Sequence, residues 1–189
     1  MAPIPGVVAS SITRSKLVTG DYESIATVSV GSGGSSSIDF TSIPSTFQHL
    51  QIRGIVRSNL SATAAGFIMR FNSDSGSNYA THNLLGDGAS TQANAYTSNT
   101  YIYPSDYAPA ASATASIFGT MVIDILDYAN TNKYKTSRNL FGTDLNGSGH
   151  VGIVSGVWMN TNAITSVSLK FTTSNAVQYS HFALYGIKS

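Results

Sequence analysis

Histidine comes first among the residues that could do chemistry, because imidazole is both a metal ligand and a general base near neutral pH. His49, His82, His150 and His181 are far apart along the chain and fall in different proposed elements, with no HxH or HExxH pair to set two of them on one face. They read as structural: His82 as a hydrogen-bonding loop residue in Tyr79-Ala80-Thr81-His82-Asn83, His181 as a half-exposed residue opening the last strand. The chain has no cysteine, which removes thiolate metal sites, cysteine nucleophiles and disulfides together. Asn72, Asp74, Gly76 and Asn78 alternate oxygen donors as a calcium loop does, but the glycine is misplaced for an EF-hand and the twelfth position is Asn83 in place of glutamate. With one carboxylate the stretch reads as a polar turn whose Asx side chains cap backbone amides.

Asp124 and Asp127 are the nearest approach to paired carboxylates. In a strand, positions three apart point to opposite faces, so the two would not flank one scissile bond as a glycosidase pair must. Asp127 is read instead as the start of the turn through Asn132. Glu23 is the only glutamate, and no Gly-x-Ser-x-Gly elbow is present. The run Gly31-Ser32-Gly33-Gly34 lacks the lysine and the helix of a phosphate-binding loop and reads as a flexible hairpin connection. The expectation is therefore a protein without catalytic residues, bound metal or cofactor.

Tyrosines are the more informative group. Tyr96, Tyr101, Tyr103 and Tyr107 lie close together in a Ser/Asn/Thr-rich region, a composition suited to anchoring a protein interface or stacking on sugar rings. They also suit plain packing of a long loop onto the body of the domain. A second group of contact residues is expected in residues 1–21, where Pro3, Ile4, Pro5, Val7 and Val8 precede a Ser/Thr-rich stretch without sustained periodicity. That segment reads as an extended arm held either on the subunit's own surface or, the favoured reading, by clasping a neighbouring subunit.

The elements that must position these residues are strands. Only 10% of the 189 residues are charged, Glu occurs once, and Ser, Thr and Asn make up about a third, so helix-surface residues are missing. Ten Tyr, eight Phe and a mean hydropathy of +0.05 argue for a packed core over disorder. A net charge of +1 lacks the basic footprint that phosphate backbones require, so no nucleic-acid partner is expected. No run approaches the ~20 apolar residues of a membrane span, and the first residues lack the charged region of an export signal. No membrane association is expected either.

Period-two patterning places strands at 25–30, 36–40, 49–58, 66–71, 116–128, 135–142, 150–159, 164–172 and 179–187. Phe67, Met69 and Phe71 oppose Arg70, and Ile117, Met121, Ile123 and Ile125 form the core-facing set of their segment. Residues 79–115 mix Gly, Asn, Ser and Tyr and read mostly as loop, with short strands near 91–96 and 100–103. Eight or nine strands in one domain over residues 22–189 predict an all-β, antiparallel two-sheet sandwich of jelly-roll type, preceded by the arm at 1–21.

Two stretches, Ser36-Ser37-Ile38-Asp39-Phe40-Thr41-Ser42-Ile43-Pro44 leading to His49-Leu50-Gln51-Ile52-Arg53, and the run from Asp124 through Asn130-Thr131-Asn132-Lys133 to Thr136, carry a resemblance. Together with Gly156-Val157-Trp158 and Phe182-Ala183-Leu184-Tyr185-Gly186-Ile187-Lys188, they resemble a family of small virion proteins of tailed bacteriophages. The resemblance runs from about Tyr22 onward and brings no catalytic motif. It implies a jelly-roll decoration (cement) protein on the outer surface of the phage head, made in the host cytoplasm. Its implied partners are the major capsid protein and like subunits in a homotrimer. The alternative it leaves open is a tail or tail-fibre protein whose tyrosines bind host glycans.

Overall fold

The computed structural model describes residues 22–188; the arm, with Pro3, Ile4, Pro5, Val7 and Val8, lies outside the described residues. Twelve strands are present among the described residues. They are β1 (Tyr22–Ser29), β2 (Ile38–Phe40), β3 (His49–Val56), β4 (Ala64–Phe71), β5 (Tyr79–Gly86), β6 (Thr91–Asn99), β7 (Ile102–Pro109), β8 (Gly119–Leu126), β9 (Lys135–Asp144), β10 (Gly149–Trp158), β11 (Val167–Phe171) and β12 (His181–Ile187). All pairings are antiparallel: a large sheet of eight strands ordered β1-β12-β3-β8-β9-β10-β5-β6, and a small sheet of four ordered β2-β11-β4-β7.

The pairs β1·β12, β2·β11, β3·β8 and β4·β7 are successive rungs of one antiparallel ribbon. The chain changes sheet between β1 and β2, β2 and β3, and β3 and β4, and again on the way back, so the ribbon is wound into the jelly roll that the patterning predicts. Two hairpins are added to it. One, β5·β6, is inserted between β4 and β7; the other, β9·β10, between β8 and β11. They join along β10·β5, in register from Val151 opposite Gly86 to Trp158 opposite Tyr79, and so double the width of the large sheet.

The structure departs from the sequence reading in three places. Twelve strands replace the eight or nine expected, because residues 79–109 form three full strands instead of mostly loop. Their patterning is masked: the inward positions of β5 and β7 include Thr81, Asn83 and Ser105, while β6 is largely exposed and β7 carries Pro104 and Pro109. Gly31-Ser32-Gly33-Gly34 does turn the chain, with Gly34 N–H donating to Gly31 O at 3.0 Å, but it crosses between the two sheets and joins no hairpin. His82 lies on the exposed face of β5, not in a loop.

The core is the space between the sheets. Leu50, Ile52, Ile123, Ile125, Phe182 and Leu184 of the large sheet meet Phe40, Phe67, Met69, Phe71 and Leu169 of the small one, all essentially without exposure. Phe67 stacks on Phe182 with ring centroids 5.6 Å apart. This stacking depends on Gly54, the cross-strand partner of Phe182, since a Cβ there would lie 2.2 Å from the ring. At the end of the added hairpins Trp158, Tyr79 and Phe71 form a second aromatic cluster. Trp158 Nε1–H donates to Asp74 Oδ2 at 2.7 Å, and the Tyr79 hydroxyl lies 3.3 Å from Phe71 O and 3.2 Å from Asp74 O.

Two cations are buried and held by carbonyls. Arg57 donates to Thr114 O at 2.7 Å, Ile117 O at 2.9 Å and Ala113 O at 2.9 Å, which ties down the connection between β7 and β8. Lys135 donates to Asn130 O at 2.5 Å, Lys133 O at 2.9 Å and Thr161 O at 2.9 Å, joining the loop before β9 to the loop after β10.

Ile123 and Trp158 are 0% and 1% exposed. Ile123→Ala should therefore cost ~2–5 kcal/mol and Trp158→Ala ~3–5 kcal/mol in urea denaturation, out of the ~5–15 kcal/mol that holds a domain folded. An unchanged midpoint in both would contradict the strand register that buries them.

Candidate interaction surface

The four tyrosines divide. Tyr96 in β6, Tyr101 before β7 and Tyr103 in β7 come together: Tyr101 meets Tyr103 edge-on at 4.9 Å, Tyr103 lies 5.4 Å from Tyr96, and the hydroxyls of Tyr101 and Tyr103 are 2.9 Å apart. Arg70 sits 5.7 Å from the Tyr101 ring centre and its Nε–H donates to Thr100 O at 2.9 Å. Burial pushes the Tyr103 hydroxyl well above the usual phenol range, reinforced by its bond to Tyr101. Tyr107 does not join the cluster; it stacks on His150 at 3.8 Å, and its carbonyl accepts from Thr143 Oγ1. The cluster pins the β6–β7 connection to the sandwich, and all four rings are half-buried.

The remaining candidates occupy structural positions. Asp74 is ringed by donors, Gly76 N–H at 2.8 Å, Asn78 Nδ2 at 3.0 Å and Trp158 Nε1, so it serves as the anchor of a polar turn. The Asn78 and Trp158 bonds hold its carboxyl below the usual carboxylate range. Asp124, on the outward face of β8, accepts from Gln51 Nε2 at 2.7 Å and Arg138 Nη2 at 3.0 Å. Asp127 opens the turn after β8, as the sequence predicts, and pairs with Lys133 and Gln48 while its N–H donates to His49 Nδ1 at 3.0 Å. No group of three or more His, Asp or Glu side chains placed to hold a metal occurs among the described residues.

What the sequence reading missed is the outward face of the large sheet. Register places Val122, Leu140, Ile153, Leu84 and Ala93 in one row across β8, β9, β10, β5 and β6. With a strand spacing of ~4.8 Å the row is ~19 Å long. Leu140, Ile153 and Leu84 are 53%, 54% and 56% exposed, and Val151 in the adjoining row is 60% exposed. Beside Val151, Gly142 and Gly86 supply no side chains, leaving an open groove of about 660 Å³ edged by Phe118, His150, Asp87 and Asp144. On the other side runs a polar row, Gln51, Asp124, Arg138, Ser155 and His82. An apolar strip with a polar border is the anatomy of an interaction surface. The signal for it was present in β10, where Val151 and Ile153 are outward while Val154 and Trp158 are inward, so the strand is apolar on both faces.

Beneath β7 the two sheets enclose polar groups. Asp106 accepts from Asn83 Nδ2 at 3.0 Å, and the side chains of Asn139 and Ser137 are buried without a partner among the described residues. Burial pushes the Asp106 carboxyl above its usual value of 3.8, opposed by the Asn83 bond.

The chain matches no protein-family model, and neither a curated protein nor a solved structure is detectably similar to it.

A carboxyl raised on folding contributes stability that is full below its unfolded pKa and is lost as pH climbs through the folded value. Asp106→Asn keeps an acceptor for Asn83 and removes the titration. The variant should melt higher than the parent at about pH 8, with the gap closing toward about pH 4. A gap that widens on acidification would reverse the assignment.

Proposed function

We propose that the chain is a structural subunit of a tailed-bacteriophage virion, a capsid decoration (cement) protein that binds the major capsid protein on the outside of the head and associates with like subunits as a homotrimer. The observation that carries this reading is the apolar row Val122, Leu140, Ile153 and Leu84 on the outward face of the large sheet, bordered on one side by a polar row. Such a face is suited to lying on a broad protein surface, where many shallow contacts repeat at every shell position. The resemblance to virion proteins supplies the class of partner. A two-sheet sandwich suits the role because the outer face of its large sheet is left free.

The tyrosine cluster supports the same choice over a tail protein that binds host glycans. Tyr101 turns its edge into Tyr103, and Tyr103 tilts against Tyr96, so much of the ring surface a sugar would stack on is taken up within the cluster.

Particles carrying a chain without residues 1–19, or carrying Leu140→Ser with Ile153→Ser, test the reading. Both variants should fold, since none of the described strands is removed and the substituted residues are exposed. Occupancy on purified virions should fall at least about tenfold, which a loss of ~1.4 kcal/mol suffices to produce. Normal occupancy of both would refute the proposal. Replacing Tyr96, Tyr101, Tyr103 and Tyr107 with Ser should likewise weaken assembly. Full occupancy of that variant, with adsorption to host cells reduced about tenfold, would turn the assignment to glycan recognition.

A further inference from the structure

The large sheet ends at β6, and among the described residues β6 is the one edge of the sandwich without protection. Edge strands offer a row of unpaired amides and carbonyls, and proteins blunt them with charge, proline, bulges or brevity. β1 carries Glu23 and a register shift after Ser24; β2 has three residues, one of them Asp39. β7 carries Pro104 and Asp106 and is twice shifted. β6 has nine residues, Thr-Gln-Ala-Asn-Ala-Tyr-Thr-Ser-Asn, with no charge, proline or glycine. Its pairing with β5 is regular from Thr91 to Tyr96, the register shift coming only beyond that point.

The sequence of this edge is close to self-complementary. About Asn94, Ala93 mirrors Ala95, Thr91 mirrors Thr97, and Gln92 mirrors Tyr96. The backbone is phased to match. Asn94 N–H donates to Asn83 Oδ1 on β5 at 3.1 Å, so the amides of Ala93 and Ala95, which alternate with it, face the open edge. In an antiparallel pair of two such strands, Ala93 of one copy and Ala95 of the other become a hydrogen-bonded pair, and the two Asn94 residues face each other across the two-fold axis as a non-hydrogen-bonded pair. Outward, Ala93 and Ala95 are small enough to bring the seam close without a clash.

We infer that β6 is a two-fold contact with a second copy of this chain, pairing in the register that sets Asn94 opposite Asn94 and joining two large sheets into one of sixteen strands, twice the eight of a single copy. An isologous contact of this kind is compatible with a three-fold contact elsewhere on the subunit. It stands apart from the virion reading, because it is tested on purified protein without particles.

Since the chain has no cysteine, Asn94→Cys is a register-specific probe: across a non-hydrogen-bonded pair the two Cα atoms lie ~4.5 Å apart, within disulfide reach. Mild oxidation should convert Asn94→Cys to a covalent dimer on a non-reducing gel, whereas Gln92→Cys, which faces Tyr96 of the other copy, should stay uncrosslinked. Ala95→Pro removes an amide that faces the open edge and leaves the β5·β6 ladder in place. It should halve the mass of the assembly in sedimentation at high concentration while keeping the parent melting temperature. Crosslinking of Gln92→Cys in place of Asn94→Cys, or an assembly unaffected by Ala95→Pro, overturns the inference. So does an association that is lost with residues 1–19 and leaves the thiol of Asn94→Cys unoxidised, which would mean that the edge receives that segment instead of a second β6.

Discussion

The large sheet is more than twice as wide as the small sheet laid over it, ~34 Å against ~14 Å at a strand spacing of ~4.8 Å, and this mismatch governs the rest of the molecule. The wound ribbon alone would give four strands facing four, each inner face covered by the other. Adding β9, β10, β5 and β6 to one side leaves half of an inner face needing cover. β7, at the margin of the small sheet, supplies it by lying across β8, β9 and β10 as well as pairing with β4. What β7 covers is a mixed core, in which Asn83, Ser137, Asn139 and Asp106 lie among Phe141, Val154 and Leu85. Unpaired buried polar groups such as those of Ser137 and Asn139 cost ~1–3 kcal/mol each. β6 meets β7 through Tyr96 and Tyr103, is otherwise largely exposed, and is open along its edge.

Loops must then be tied down without help from a surrounding core, and the buried cations do this. A guanidinium or ammonium removed from water is unfavourable unless its donors are filled. Arg57 and Lys135 find their acceptors in backbone carbonyls of chain segments that have no strand partners. Each cation thereby ties together loop carbonyls, and the carbonyls fill its donors in return. Asp74 plays the inverse part at the far end, where one carboxylate gathers the Trp158 indole and the turn before β5. With few ion pairs available in a chain that is only 10% charged, single ions coordinated by backbone take the place that salt bridges have in more charged proteins.

Which parts of this were legible in the sequence follows from the same division. In the ribbon strands one face is buried in an apolar core, so its phase is legible even where the other face is also covered: Met121, Ile123 and Ile125 in β8, and Phe67, Met69 and Phe71 in β4, are buried as the patterning predicts. In β5 and β7 the buried face mixes apolar with polar residues and β6 is largely exposed, so alternation in hydropathy is lost; Tyr79 and Leu85 bracket Thr81 and Asn83 on one inward face. Arg57, one residue past β3 and in phase with the exposed Arg53, is 9% exposed, because its surroundings are carbonyls contributed by distant loops, which no local pattern reports. Tyr107 reads as one of a group of four by proximity in sequence, yet the direction of β7 carries it away from Tyr103 to His150. The outward row was hidden for a different reason: Leu140 and Ile153 face each other within the β9·β10 hairpin, but Leu84 joins them only when the two inserted hairpins pair.

That row and the open edge bear on each other. A sheet that is apolar outside and unprotected at its margin is the arrangement from which aggregation starts. The jelly roll could avoid both by stopping at β8, where the ribbon is already complete and Leu140, Ile153, Leu84 and β6 would not exist. The two hairpins add polar burial beneath β7, an exposed row above, and an uncharged edge, three features that lower the stability or solubility of an isolated subunit. They are compensated only if the added half-sheet stays covered, with its outward face against one partner and its edge against another. On the reading proposed above, the half-sheet is the part of the molecule that meets partners, and the wound ribbon is the part that holds it in place.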